Sequence, residues 1–350
     1  MEEPDFQRLA LDIKAWALEL GFQQAGITDT QLDQAEHYLN QWLGQGRHGE
    51  MEYMARHGRK RTRPAELEPG TLRVISLRMD YQPEEQAAPD KLLTQAEIAY
   101  ISRYALGRDY HKLMRQRLKK LALRIETVTG PFQYRVFVDS APVMEKPLAE
   151  KAGLGWVGKH TNLINRKAGS WFFLGEIYTD LPLTTDQQTS SHCGSCNACI
   201  DICPTKAIVS PYNLDARLCI SYLTIELHGE IPEPLRAMIG NRVYGCDDCQ
   251  LICPWNRFAK YTKEQDFLPR HGLDSAALID LFGWNEEEFL RKLEGSPIRR
   301  IGHERWLRNI AVALGNAPTN QQIIEALLAR KDHSSSMVRT HVEWALSKQD

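Results

Sequence analysis

Cysteine is absent from residues 1–192 and again from 254–350; all eight fall between Cys193 and Cys253. A disulfide framework would spread its bridges through the chain, and 350 residues bury enough core to need none. Crowded thiols in a chain of this size are a metal signal. Long apolar runs are also missing: no window approaches eighteen uninterrupted apolar residues, which removes a membrane span. The opening MEEPDFQRLALDIKAWALELGF has neither the basic start nor the apolar centre nor the twin arginines of an export signal. The expectation is therefore a cytoplasmic chain. Net charge is small, with 43 Lys and Arg against 45 Asp and Glu, so any nucleic-acid surface must be local. The remaining composition, 43% hydrophobic and 25% charged, is that of a globular protein of two or three domains.

Between Asp5 and Leu20 the apolar residues Leu9, Ile13, Trp16, Ala17 and Leu20 recur at helical spacing, and a short strand is expected over residues 24–27. The segments TLRVISLRMDY (71–81), FQYRVFVDS (132–140) and SWFFLGEIYTD (170–180) read as strands, separated by a long helical pattern from Asp109 to Thr127. Residues 1–185 are thus expected to form an α/β domain. The polar run TTDQQTSSH (184–192) reads as a linker into a cysteine module covering residues 186–261. From residue 273 to 350 the pattern is helical throughout, in units of ten to fifteen residues. That spacing fits either a HEAT-like helical repeat or a bundle cap.

HCGSCNACIDICPTKAI places Cys193, Cys196, Cys199 and Cys203 in the spacing C-x2-C-x2-C-x3-C-P. In that ferredoxin-like spacing three thiolates wrap one 4Fe-4S cube and the fourth reaches a neighbouring cube. Zinc is the alternative, but it ordinarily uses two separated cysteine pairs and leaves the Cys-Pro ending unexplained. The second half, GCDDCQLICP, supplies only Cys246, Cys249 and Cys253, and Cys219 is the one cysteine left over. With the crossed arrangement, one cluster takes Cys193, Cys196, Cys199 and Cys253, and the other takes Cys203, Cys219, Cys246 and Cys249. Two neighbouring cubes make an electron wire, the alternative being a purely structural pair.

Together with these motifs, VDSAPVMEKPLAEKAGLGWVGKHTNLIN (138–165) and SPIRRIGHERWLRNIAVALGNAP make the chain resemble the epoxyqueuosine reductases over nearly its whole length. The resemblance implies a cobalamin-dependent enzyme with two 4Fe-4S clusters that reduces epoxyqueuosine to queuosine at the wobble position of tRNA. It implies Asp139, in VDSAP, as the proton donor to the opening oxygen, a role that requires its carboxyl to hold a proton near neutrality. Without the resemblance, Asp139 reads first as a helix cap.

For cobalamin, Gly153, Gly155 and Gly158 allow close backbone approach, and Lys159, His160, Thr161, Asn162 and Asn165 offer donors; Arg103 and Tyr104 are further candidates. Asp109-Tyr110-His111 invites comparison with a D-x-H-x-x-G cobalt-ligand motif, but Met114 stands where glycine is required, so His111 reads as a capping or surface residue. For tRNA, Arg299, Arg300, Arg305 and Arg308 form a local basic stretch around Trp306, and Arg115, Arg117, Lys119, Lys120 and Arg124 form another; a solvated helix face is the bland reading of each. The expected partners are tRNA and an unidentified low-potential electron donor, with the chain a monomer. Competing readings are a corrinoid iron-sulfur reductase of a small molecule and a cobalamin-free ferredoxin-like electron carrier.

Overall fold

The computed structural model describes residues 5–349. Its centre is a four-stranded antiparallel sheet in the order Gln24–Thr28, Arg73–Asp80, Phe172–Thr179, Tyr134–Phe137. All eight residues of Phe172–Thr179 are buried, because both faces of the sheet are covered. Successive side chains go to opposite sides. Ile75, Leu77, Phe173 and Ile177 meet the helices Phe6–Glu19 and Tyr110–Thr129, whose apolar residues Ile13, Ala17, Leu118, Leu121 and Ile125 recur at helical spacing. Val74, Phe137 and Tyr178 instead meet Leu148 of the short helix Glu145–Lys151.

The cysteine module wraps against this unit. Helices Ala198–Ile202 and Asp248–Leu251 pack on each other, each carrying one cysteine of a C-x2-C-x3 or C-x2-C series. The stretch 184–192 is no free linker. Asp186 exchanges hydrogen bonds with the Ile27 backbone at 2.8 Å in both directions and pairs with Lys14.

The carboxy-terminal helices Leu278–Gly283, Glu286–Lys292, Gly302–Gly315, Gln321–Leu328 and Ser336–Leu346 follow the expected order. Gly302–Gly315 is their axis, with every residue from Trp306 to Gly315 buried. It does not close a core within residues 273–350. The same apolar cluster takes in Ala99 to Leu106, the segment around Ile220 and Leu223, and Val243 and Tyr244. A parallel pairing of Tyr100–Ile101 with Arg242–Tyr244 crosses between the same regions. Among the described residues, no helix is long and apolar enough to cross a membrane.

Candidate active site and metal centres

The eight cysteines separate into two cavities. Cys193, Cys196, Cys199 and Cys253 line one of about 240 Å³; Cys203, Cys219, Cys246 and Cys249 line another of about 470 Å³. Cys219 comes to the second set because the turn Ala216–Leu218 and helix Ile220–Ile225 fold back on strand Arg242–Tyr244. Burial pushes the Cys199 thiol up to about 11, with its three neighbouring thiols adding, and raises Cys219, Cys246, Cys249 and Cys253 as well. Buried sulfurs of this kind become thiolates only beside a compensating positive charge, which iron supplies. Among the described residues no three Cys, His, Asp or Glu side chains converge tightly enough for a single metal ion. Each cavity thus gathers four cysteines, the donor set that a 4Fe-4S cube takes.

Lys159 belongs to the smaller cavity. Its ammonium donates to the carbonyls of Gly194 and Cys196 and to Asn197 Oδ1 at 2.8 to 3.0 Å, so it fastens the first cysteine loop. Asp247, between Cys246 and Cys249, accepts from Tyr100 Oη, Ser102 Oγ and the Arg103 amide at 2.6 to 2.9 Å, which ties the second loop to the amino-terminal unit.

Above the second cysteine set the larger cavity widens between an apolar wall, Leu163, Phe172, Phe173 and Leu174, and a polar rim that includes Tyr104, Asp139, Lys146, Thr161 and Asn162. His160 lines both cavities; its Nδ1 accepts the Asn162 amide at 3.1 Å, its Nε2 has no partner, and burial holds the ring neutral, down at about 4. A flat macrocycle fringed with amides, such as the corrin of cobalamin, matches this combination of apolar wall, rim donors and unpartnered imidazole.

Three residues expected at that cofactor lie elsewhere. Arg103 is buried with its guanidinium over the Tyr100 ring. Lys159 is committed to the cysteine loop, and Asn165 donates to Leu154 O and Gln24 Oε1, holding the hairpin of strands Trp156–Val157 and Leu163–Ile164. Gly155 serves that hairpin too, since a Cβ there would sit 2.2 Å from Ile164 O. The close approach is strand to strand, not protein to ligand.

Asp139 follows strand Tyr134–Phe137 with φ +51, a left-handed backbone that Asp tolerates better than most residues. It caps no helix. Its amide donates to Glu145 Oε1 at 2.6 Å, and its carboxylate, half-exposed to the cavity, accepts from Tyr110 Oη at 3.0 Å and lies 3.4 Å from His111 Nε2. Burial pushes the Asp139 carboxyl up, but the hydrogen bond and charge of His111, with Tyr110 and Arg300, outweigh it and leave it below the ordinary carboxylate range. The sequence expectation of a raised pKa at Asp139 rests on burial or a corrin face beside it; among the chain's own groups, His111 holds the carboxyl low.

His111 is neither a cap nor on the surface. It is buried, its Nδ1 is 2.6 Å from Asp109 Oδ1, and the capping group is Asp109 itself, which accepts the His111 amide. Burial lowers its basicity, and the flanking carboxylates of Asp109 and Asp139 more than restore it.

Sequence reasoning also missed Tyr110, Glu145 and Glu176. Glu176 is wholly buried beneath Glu145, taking a 3.3 Å hydrogen bond from Ser76. The available signal was a carboxylate inside FFLGEIYT, a strand otherwise apolar enough to be covered on both faces.

The basic residues divide as well. Arg308 is fully buried, donating to the carbonyls of Leu223, Leu227 and Gly229 at 2.6 to 2.8 Å, so it is excluded from any RNA surface. Half-buried Arg305 is spent on the carbonyls of Ile301, Ile225 and Arg300. Arg299 is exposed, and Arg300 pairs with Asp109. Arg300 also lines an open cleft of about 550 Å³ with Lys112, Arg115, Lys119, Asp109, His111 and Ser140. Arg117 and Arg124 are paired with Glu264 and Glu19.

Two family models match the chain: "Epoxyqueuosine reductase QueG, DUF1730" over residues 61–140 and "4Fe-4S double cluster binding domain" over residues 192–256. Among solved structures, an epoxyqueuosine reductase with a tRNA-Tyr epoxyqueuosine-modified stem loop superimposes with TM-score 0.89 at 26% identity, over 98% of this chain and 90% of that one. The Bacillus subtilis enzyme, captured with its catalytic aspartate loop swung out of the active site, gives TM-score 0.89 at 25% identity over the same shares. The epoxyqueuosine reductase of Pseudomonas aeruginosa is 62% identical over 349 residues, spanning 99% of this chain and 96% of that protein. At that identity and coverage, this chain belongs to the epoxyqueuosine reductase family.

Proposed function

We propose that this chain reduces epoxyqueuosine to queuosine at the wobble position of tRNA, with Asp139 handing the proton to the oxygen released from the epoxide. The observation that carries the reading is the placement of Asp139 at the rim of a cavity whose floor is a four-cysteine set. Cys193, Cys196, Cys199 and Cys253 would hold one 4Fe-4S cluster, and Cys203, Cys219, Cys246 and Cys249 the other. Thr161, Asn162 and His160, with Tyr104 and Lys146, would hold the cobalamin against the wall of Phe172 and Phe173. When bound, these groups supply electrons singly from a low-potential donor and deliver two of them to the epoxide carbon.

The protein's own part is binding and protonation. Tyr110 Oη and the Glu145 contact to the Asp139 amide aim the Asp139 carboxyl into the cavity. Lys146 donates to Thr161 O at 3.0 Å and Asn162 Oδ1 at 3.1 Å, fixing the rim opposite. Lys112, Arg115, Lys119 and Arg300, around the adjoining open cleft, with exposed Arg299, are the surface offered to tRNA phosphates. In this reading residues 1–185 are the α/β cobalamin-binding catalytic domain, 186–261 the ferredoxin-like cluster domain and 273–350 a HEAT-like helical domain, acting as a cytoplasmic monomer.

The test is nucleoside mass spectrometry of tRNA from cells lacking the enzyme and complemented with wild type or Asp139→Ala. Wild type is expected to restore queuosine, and the variant to leave epoxyqueuosine. Epoxyqueuosine persisting with wild type rejects the proposal.

A further inference from the structure

Asp139 presents a problem of supply. An acid must hold a proton when the substrate oxygen needs one, yet its surroundings favour the carboxylate. Behind it the fold has lined up a chain of groups: Asp139 Oδ2, His111 Nε2 at 3.4 Å, His111 Nδ1, and Asp109 Oδ1 at 2.6 Å.

His111 Nε2 makes no hydrogen bond and lies 3.4 Å from Asp139 Oδ2, which leaves this buried nitrogen unpartnered beside the carboxylate. The ring is fixed on both sides. Tyr110 stacks on it at 4.3 Å, and Asp109 is itself anchored by the His111 amide and by Arg300. Nδ1 meets Asp109 Oδ1 at 2.6 Å and Arg300 Nη2 at 3.0 Å; we assign the hydrogen to Nδ1, donating along the shorter contact to Asp109. The only ring position left to gain or lose a proton is then Nε2.

We propose that His111 is the proton reservoir for Asp139, with Asp109 as the residue that orients and charges it; this rests on the reading of Asp139 as the proton donor. In the resting site the pair is an imidazolium beside a carboxylate. Substrate bound over the cavity mouth excludes water, and a buried ion pair without solvent shifts toward its neutral form. The Nε2 proton passes to Asp139 Oδ2 and the carboxyl proton to the substrate oxygen; His111 is left neutral with Nδ1–H still on Asp109. No electrons move in this step. Once product leaves, Asp139, half-exposed to the cavity, takes a proton from solvent and returns one to His111 Nε2.

The groups facing His111 are Asp139 and Glu145 from the segment after strand Tyr134–Phe137, Arg300 from the turn Pro297–Ile301, and Asp109 and Tyr110 from its own helix start. Burial lowers its basicity, and the two adjacent carboxylates together raise it by more. Neutralising either should release the ring toward its ordinary value.

The first readout is independent of turnover. In protein labelled with 15N-histidine and free of cobalamin, the His111 resonance, identified by its loss in His111→Gln, should titrate above the usual imidazole value of about 6.5. It should move down in Asp139→Asn and in Asp109→Asn. The second is the pH profile of tRNA reduction. Wild-type kcat should fall as pH rises through the His111 pKa, and His111→Gln should lose that dependence, run about 10²-fold slower with KM for tRNA unchanged, and recover partly with added imidazole. A His111 titration indifferent to Asp139→Asn, or a folded, cluster-loaded His111→Gln with wild-type kcat and pH profile, overturns the relay. Wild type inactive on epoxyqueuosine tRNA would instead overturn the function on which it rests.

Discussion

Glu145 Oε1 holds the Asp139 amide at 2.6 Å, so one carboxylate fixes the left-handed backbone that aims another. A residue at positive φ costs about 1 kcal/mol or more and persists where neighbours overdetermine it. Glu145 is the neighbour. Burial, then the charge of Asp139, pushes its own carboxyl up to about 7, and burial with the charge of Glu145 also drives Glu176 beneath it well above the ordinary carboxylate range.

Glu145 therefore binds a proton more tightly in the folded chain than in the unfolded one. Its favourable contribution is complete below its ordinary value of 4.5 and is lost as pH rises through about 7. The thermal midpoint of cluster-loaded, cobalamin-free protein should fall between about pH 5 and pH 8, and less steeply in Glu145→Gln. Scanning calorimetry at constant ionic strength reads the difference, and parallel curves would exclude Glu145 as a contributor.

Cys219→Ala should remove one cluster and spare the other. Because Cys219 lines only the larger cavity, iron and sulfide should fall to about half of the wild-type content, whereas Cys203→Ala should give the same phenotype and Cys193→Ala the complementary one. Spectroscopy of the reduced proteins should show one residual cluster in each. Equal loss of both clusters in Cys219→Ala would contradict the division of thiols.

Arg308→Ala is expected to act on folding and not on RNA. It strands three buried carbonyls and opens a void in the helix axis, at a cost of roughly 3–5 kcal/mol. The unfolding free energy extrapolated from denaturant titrations should drop by that amount. A stable Arg308→Ala that merely bound tRNA less tightly would show this placement to be wrong.

Lys119→Ala should do the reverse. The side chain is exposed on the open cleft, so stability should be unchanged while tRNA affinity weakens at every sequence and the salt dependence of binding becomes shallower by about one phosphate's worth. Titrations at several salt concentrations distinguish this from loss of a base contact, which would leave the slope intact.

The regular elements were legible because their signals are local. Leu9, Ile13 and Ala17, or Leu118, Leu121 and Ile125, announce a helix face from spacing alone, and the cysteine quartets follow from counting eight thiols into a known spacing. What the chain brings together from far apart was not legible. Asp109, Asp139 and Arg300 converge on His111 from three separate segments, and nothing local to Asp-Tyr-His shows that its imidazole is buried against them. The basic stretch at Arg305 and Arg308 misled for a different reason: charge counting ignores orientation. The cue lay in the apolar residues around it, because a helix apolar on nearly all sides is a central one, and its arginine must then find carbonyls inside.

The carboxylate of Asp247 joins two regions that the ribosome makes at different times. Tyr100, which it holds, precedes it by 147 positions, and the strand that pairs with Tyr100–Ile101 is equally remote in sequence. The amino-terminal half therefore emerges unfinished, with Tyr100, Ser102 and the Arg103 amide waiting for a loop that carries two of the cluster thiols. Closure of the first half of the chain therefore waits for the loop that carries Cys246 and Cys249.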